Sequence, residues 1–193
     1  MKFCCKIHRS VVWLLHGVAI VLALATQAQA QLVPGGGALY LYSDADLTDS
    51  TYQDQSIGAF SVYVVHRGVT FDAAQGVRFA VQTSPGVTFA WLGENSPMPT
   101  VVGDSRTGIS IGYGACLIPD PGLILEIRFL GIGTSEACSF LNVVPHPQAS
   151  SGEIEVILCV GLEAVSATGE KLLVNCPVPV EQTTWGKVKS LYR

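Results

Sequence analysis

The sequence predicts an all-β protein: an antiparallel β-sandwich of the immunoglobulin-like or jelly-roll kind, followed by a short C-terminal amphipathic helix or tail. Three observations predict it. From Tyr40 onward apolar and polar residues alternate with a period of two. Pro- and Gly-containing turn signals separate the alternating runs at short intervals. Helical spacing of apolar residues is confined to the last eleven residues, Thr183–Arg193.

The chain opens with a secretory leader pattern. Lys2, Lys6 and Arg9 make a basic start, Val11 to Ala25 is an apolar stretch broken by His16 and Gly17, and Ala28-Gln29-Ala30 is a small-x-small cleavage signal. The apolar stretch is shorter than the roughly 18–20 residues a spanning helix needs, so the expectation is export with cleavage before Gln31, and membrane contact only through the signal peptide. The destination is the periplasm, the cell surface or the medium. The mature chain, residues 31–193, keeps eight basic side chains against fifteen acidic ones, a net charge of −7. So acidic a domain is a poor binder of nucleic acid.

The organisation expected after the leader (1–30) is a flexible lead-in at 31–37, a sandwich at 38–176, a proline-stiffened linker at 177–182 and the tail at 183–193. Strands are expected at Ser61–His66, in "GVRFAVQ" (Val77, Phe79, Val81 inward) and in "GVTFAWLGE" (Val87, Phe89, Trp91 on one face). Further ones are "TGISIGYG" (Ile109, Ile111, Tyr113), "LILEIRFLG" (Leu123, Leu125, Ile127, Phe129), Ser139–Val144, Glu153–Val160 and Lys171–Asn175. Turns are expected at 83–86, 95–99, 119–122, 145–152 and at "ATGE", 167–170. A transmembrane barrel is the competing all-β architecture, but strands this short, separated by proline turns, do not suit it.

Four cysteines remain after the leader, Cys116, Cys138, Cys159 and Cys176, and their even number in an exported chain predicts two disulfides. Three connectivities are open. Sequential pairing, Cys116–Cys138 with Cys159–Cys176, is preferred because it closes short loops between neighbouring strands. Zinc is disfavoured, since no C-x-x-C pair exists and the spacings are 22, 21 and 17 residues.

No catalytic constellation emerges, and a non-enzyme is expected. His66 and His146 lack an adjacent nucleophile, and Ser110 in "GISIG" reads as the outward residue of a strand and not as a nucleophile elbow. Glu153 and Glu155 share one strand face, as the wet side of a sheet often does. Asp44, Asp46, Asp49 and Asp54 are the calcium candidates. The EF-hand template fails on them, with Asp49 at the position of the required Gly and Gln55 at that of the required Glu, so a solvated acidic loop is the plainer reading and no cofactor is expected. Trp91, with Val87 and Phe89 beside it, is expected in the core, and Tyr40, Tyr42 and Tyr52 are too scattered to form a sugar platform.

Read as a helix, "TTWGKVKSLYR" sets Trp185, Val188 and Leu191 or Tyr192 on one stripe, with Lys187, Lys189 and Arg193 around it. Eleven residues are too few to hold a helix alone, so the segment should fold against a partner or its own domain. It resembles a C-terminal motif, Trp-Gly-x-(Val/Ile)-Lys-x-Leu-Tyr-Arg, of exported proteins from uncultured bacterial lineages, where it follows differing β-rich bodies. The phrases "VYVVH", "TGISIGYGACL", "VVPHP" and "GEIEVILC" are similar to one family of such proteins that shares these cysteines. The resemblance implies no activity. A tail shared by unlike bodies implies a sorting or docking segment. The run from Gly58 to Glu94 is also similar, less closely, to the opening of cohesin-type sandwiches, which bind a partner module. The function these readings imply is a non-enzymatic structural or interaction module with a protein or envelope partner; a carbohydrate-binding module and a secreted hydrolase are the alternatives.

Overall fold

The computed structural model describes residues 31–54, 57–69, 73–117 and 122–177. The leader, most of the linker and the whole tail, including Trp185, Lys187, Val188, Lys189, Leu191, Tyr192 and Arg193, lie outside the described residues, as does the amphipathic helix expected of that tail.

Twelve strands and no helix are found among the described residues. In chain order they are β1 (Pro34–Tyr42), β2 (Thr51–Tyr52), β3 (Gly58–Arg67), β4 (Ala74–Thr83), β5 (Phe89–Asn95) and β6 (Thr100–Asp104). They continue as β7 (Gly108–Leu117), β8 (Gly122–Gly131), β9 (Ser139–Pro145), β10 (Ile154–Leu158), β11 (Ala164–Gly169) and β12 (Lys171–Val174). All hydrogen-bond into one network, ordered β2-β12-β9-β4-β10-β11-β1-β3-β8-β5, with β7 on β4 and β6 on β7.

Two partner changes fold this network into the layers of a sandwich. Ala74 to Arg78 of β4 pair with β10, whereas Phe79 to Thr83 pair with β9. Gly169 still pairs with β1, whereas Lys171 already pairs with β9. The "ATGE" stretch is therefore not a turn but a strand crossing between layers, because Glu170 donates its N–H to the Leu39 carbonyl and accepts from Val143 (2.9 and 3.4 Å). Most pairs are antiparallel, as expected, but β1–β11 and β2–β12 run parallel.

The alternation read from the sequence sends Val77, Phe79, Val81, Ile109, Ile111, Tyr113, Leu125, Ile127 and Phe129 into one core with Leu39, Leu41, Val62 and Val64. His66 is fully buried among them: its Nδ1 meets the Tyr113 hydroxyl at 2.8 Å and its Nε2 the Gly36 carbonyl at 2.6 Å. That contact corrects the flexible lead-in, since 34–37 belong to β1. A Cβ on Gly36 would come within 2.9 Å of the Ser166 carbonyl oxygen and 3.0 Å of Val156, so the glycines permit a close approach of backbones and do not mark a hinge.

The disulfides are Cys116–Cys159 and Cys138–Cys176, not the sequential pairs. Cys138 stands just before β9 and Cys176 just after β12; these strands are antiparallel neighbours with Val174 opposite Ser139, which brings the two Cα atoms to 4.3 Å. Cys116 and Cys159 lie at the ends of β7 and β10, which flank the start of β4 on its two sides, and their Cα atoms are 5.8 Å apart. Short loops do not decide pairing here, because neighbours in the sheet are far apart in the chain.

Candidate functional site

The outer face of β6, β7, β4 and β10 carries the most distinctive surface. With Val77, Phe79, Ile109 and Ile111 inward, the alternate residues Gly76, Arg78, Ser110 and Gly112 must face out. Register then builds two rows across the strands. One runs Thr100, Gly112, Gly76, Ile157; the other runs Val102, Ser110, Arg78, Glu155. Two adjacent glycines leave the middle of the first row without side chains, forming a trough of about 310 Å³ between Thr100 and Ile157. Gly76 is also required sterically, since a Cβ there would lie 2.8 Å from the Ile111 carbonyl oxygen. β6 is an edge strand with β7 as its partner, and its Val101 and Val102 are 42% and 65% exposed.

The second row is polar and continues into a hollow of about 550 Å³ bordered by Arg78, Ser110, His146 and Gln148. Arg78 bridges Glu155 at 3.1 Å, and Ser151 Oγ donates to the other Glu155 oxygen at 2.9 Å. His146 Nδ1 accepts the Gln148 N–H at 3.0 Å and lies 3.4 Å from Arg78 Nη2. Burial first, then the Arg78 charge, holds His146 below the ordinary 6.5, against a smaller upward pull from Glu155 and the Gly108 carbonyl. An Nδ1 that accepts from a backbone N–H leaves the proton on Nε2. His66 is likewise pushed down by burial and committed on both nitrogens. Neither described histidine offers a free base to Ser110, which sits within β7 as the sequence implies.

The four calcium candidates do not converge, and among the described residues no cluster of metal-binding side chains forms. Asp44 accepts from the Thr48 and Asp49 N–H groups and the Thr48 hydroxyl, and Asp49 accepts from Thr51, so both carboxylates stabilise their own turn. Asp46 is exposed. Asp54 is 2% exposed and turned away, accepting the Ser135 N–H at 2.7 Å and the Asn175 side-chain amide. Burial alone would raise its pKa, but those bonds outweigh it and hold it below 3.8. Asp54→Ala, which orphans both donors, is expected to cost about 2–3 kcal/mol in urea denaturation, the scale for buried bonds to a charged acceptor.

Glu153 and Glu155 are half-buried, and Trp91 packs partly buried against the core with the Arg106 guanidinium 4.0 Å from its ring centre. Tyr40 and Tyr42 stack at 6.2 Å beside Arg67, while Tyr52 stacks on Phe60 at 4.1 Å. Sequence reasoning missed Thr100, Val102, Gly112 and Gln148 as site residues. β6 was not legible as a strand, and a trough made by missing side chains leaves no motif.

No protein-family model and no curated protein matches the chain. Among solved structures it is similar to a cohesin module of a family 33 glycoside hydrolase from Clostridium perfringens: 9% identity, TM-score 0.49, covering 77% of this chain and all of that one. It is similar also to the seventh ScaB type I cohesin of Pseudobacteroides cellulosolvens, at 12% identity, TM-score 0.49 and coverages of 75% and 96%. A non-cellulosomal cohesin from Archaeoglobus fulgidus overlays with a TM-score of 0.37 at 9% identity, with coverages of 81% and 96%. At this level the likeness gives no residue of this chain a role.

Proposed function

We propose that the chain is an exported, non-enzymatic interaction module of the cell envelope or extracellular space that takes a protein partner on its trough face, with Thr183–Arg193 as a sorting or docking segment. The observation that carries it is the pairing of a glycine-floored trough with an edge strand, β6, whose valines are exposed. An extended segment of a partner can lay side chains in such a trough while its backbone pairs with the edge. The leader pattern, together with two cysteine pairs of the kind that persist in oxidising compartments, supports export. A sugar-binding platform is not favoured, because none of the exposed large apolar side chains among the described residues is aromatic.

The test combines a photo-crosslinking residue at Val102, with Leu173 as an exposed control position, and a chain stopped at Gln182. A discrete adduct from Val102 in intact cells is expected, absent from Leu173 and lost with Gly112→Val. Random labelling from both positions overturns the partner face. The shortened chain should melt like the full one yet miss its destination; a lower melting temperature with unchanged location instead makes the tail part of the fold.

A further inference from the structure

A second concavity lies away from the trough, where β5 faces the end of β4. It measures about 490 Å³ and is lined by Val81, Thr83, Phe89, Trp91, Arg106 and Phe129, among others. Its aromatic wall is fixed from behind: Phe129 packs on Phe60 (5.6 Å), Phe89 on Phe60 (4.7 Å) and Tyr52 (5.6 Å). Opposite it, Val81 donates its N–H to the Ser105 carbonyl at 2.6 Å, which holds the turn between β6 and β7 against β4 and brings Arg106 to the mouth. Arg106 lies over Trp91, is tied to Asp104 at 3.4 Å and keeps a side chain 55% exposed.

Three features specify what such a cleft takes. Arg106 sets a guanidinium at its mouth on a side chain that is largely exposed, placed over Trp91 and beside Asp104. No carboxylate is among the described residues that line the cleft, and the nearby Glu94 already accepts the Ser105 N–H through both oxygens, at 3.1 Å each. The volume falls in the range of roughly 300–1,000 Å³ usual for small-molecule sites. We propose that the cleft binds a small aromatic carboxylate, its ring against Phe89, Phe129 and Trp91 and its carboxylate accepting from Arg106. The exposed Arg106–Asp104 pair and the cation–π contact are each weak enough to rearrange around such a ligand.

The test is a titration of the full chain followed through the indole N–H resonance of Trp91, assigned with Trp13→Phe and Trp185→Phe variants. Phenylacetate should produce a saturable shift of that resonance. Phenethylamine, with the same ring and the opposite charge, should bind at least ten-fold more weakly, and Arg106→Gln should weaken phenylacetate by a similar factor while Arg106→Lys recovers part of it. Arg106 is exposed, so these variants retain the fold. Absence of a saturable shift overturns the site; equal response to the amine, or indifference to Arg106→Gln, overturns the carboxylate chemistry.

Discussion

Replacing Cys138 and Cys176 together by serine is expected to lower the unfolding free energy by about 4 kcal/mol, with a similar loss for Cys116 and Cys159. The bonds close loops of 38 and 43 residues, and the chain-entropy relation for loops of that length gives about 4 kcal/mol each. Sequential pairing would have closed loops of 22 and 17 residues, worth somewhat less apiece. The first pair also anchors a polar knot, since Gln53 Nε2 donates to the Cys176 carbonyl at 3.2 Å and Asn175 Nδ2 reaches both Asp54 and the Ser135 carbonyl. Loss of that bridge should therefore loosen β2 and β12 first. The two loops overlap in sequence, so the costs will not add fully; removing both still approaches the roughly 5–15 kcal/mol that holds a domain of this size. Urea unfolding with and without a reductant, followed by the two serine double variants, measures both effects. Insensitivity to reductant would disprove the pairing.

The same cysteines show where sequence reasoning ran out. Their number predicted two bonds, but partners depend on which strands lie side by side, and β9 meets β12 across 25 intervening residues. Strands that bury one face announce themselves by alternation, as β4, β7 and β8 do. Those that escaped notice lack that signal. β1 begins Pro-Gly-Gly-Gly, β2 is two residues long, β6 has valine on both faces, and β11 reads Ala-Val-Ser-Ala-Thr-Gly. The outward placement of Ser110 and the inward placement of Tyr113 were both legible. The trough was not, because its rows draw one or two residues from each of four strands and exist only once the register is known.

Acidification from neutral pH is expected to destabilise the fold in two stages, the first set by histidine. His66 is held below its ordinary 6.5 mainly by burial, so the folded chain refuses a proton that the unfolded chain accepts. Its neutral form is used fully: Nε2–H donates to Gly36, and Nδ1 accepts from Tyr113, whose own pKa burial pushes up, which keeps the hydroxyl a donor. Protonation would set an N–H against that O–H. The sign follows. Above pH 6.5 both states are neutral and stability is flat; below it the unfolded state binds more protons, and stability falls by up to about 1.4 kcal/mol per pH unit until the folded-state pKa is reached. His146, 8% exposed and lowered too, adds to the slope. Asp54 acts later, because a carboxylate held below 3.8 keeps its contribution until the pH falls to about 4 and loses it beyond. Unfolding free energies between pH 8 and 3 should therefore show a first decline starting near 6.5 and a second near 4. In Tyr113→Phe, which leaves His66 Nδ1 without its donor and frees it to take a proton, the protein should be less stable at pH 8 by about 1–3 kcal/mol. Its decline below 6.5 should be shallower, since the gap between folded and unfolded pKa narrows. An unchanged slope in that variant would show that the Tyr113 bond does not control the histidine.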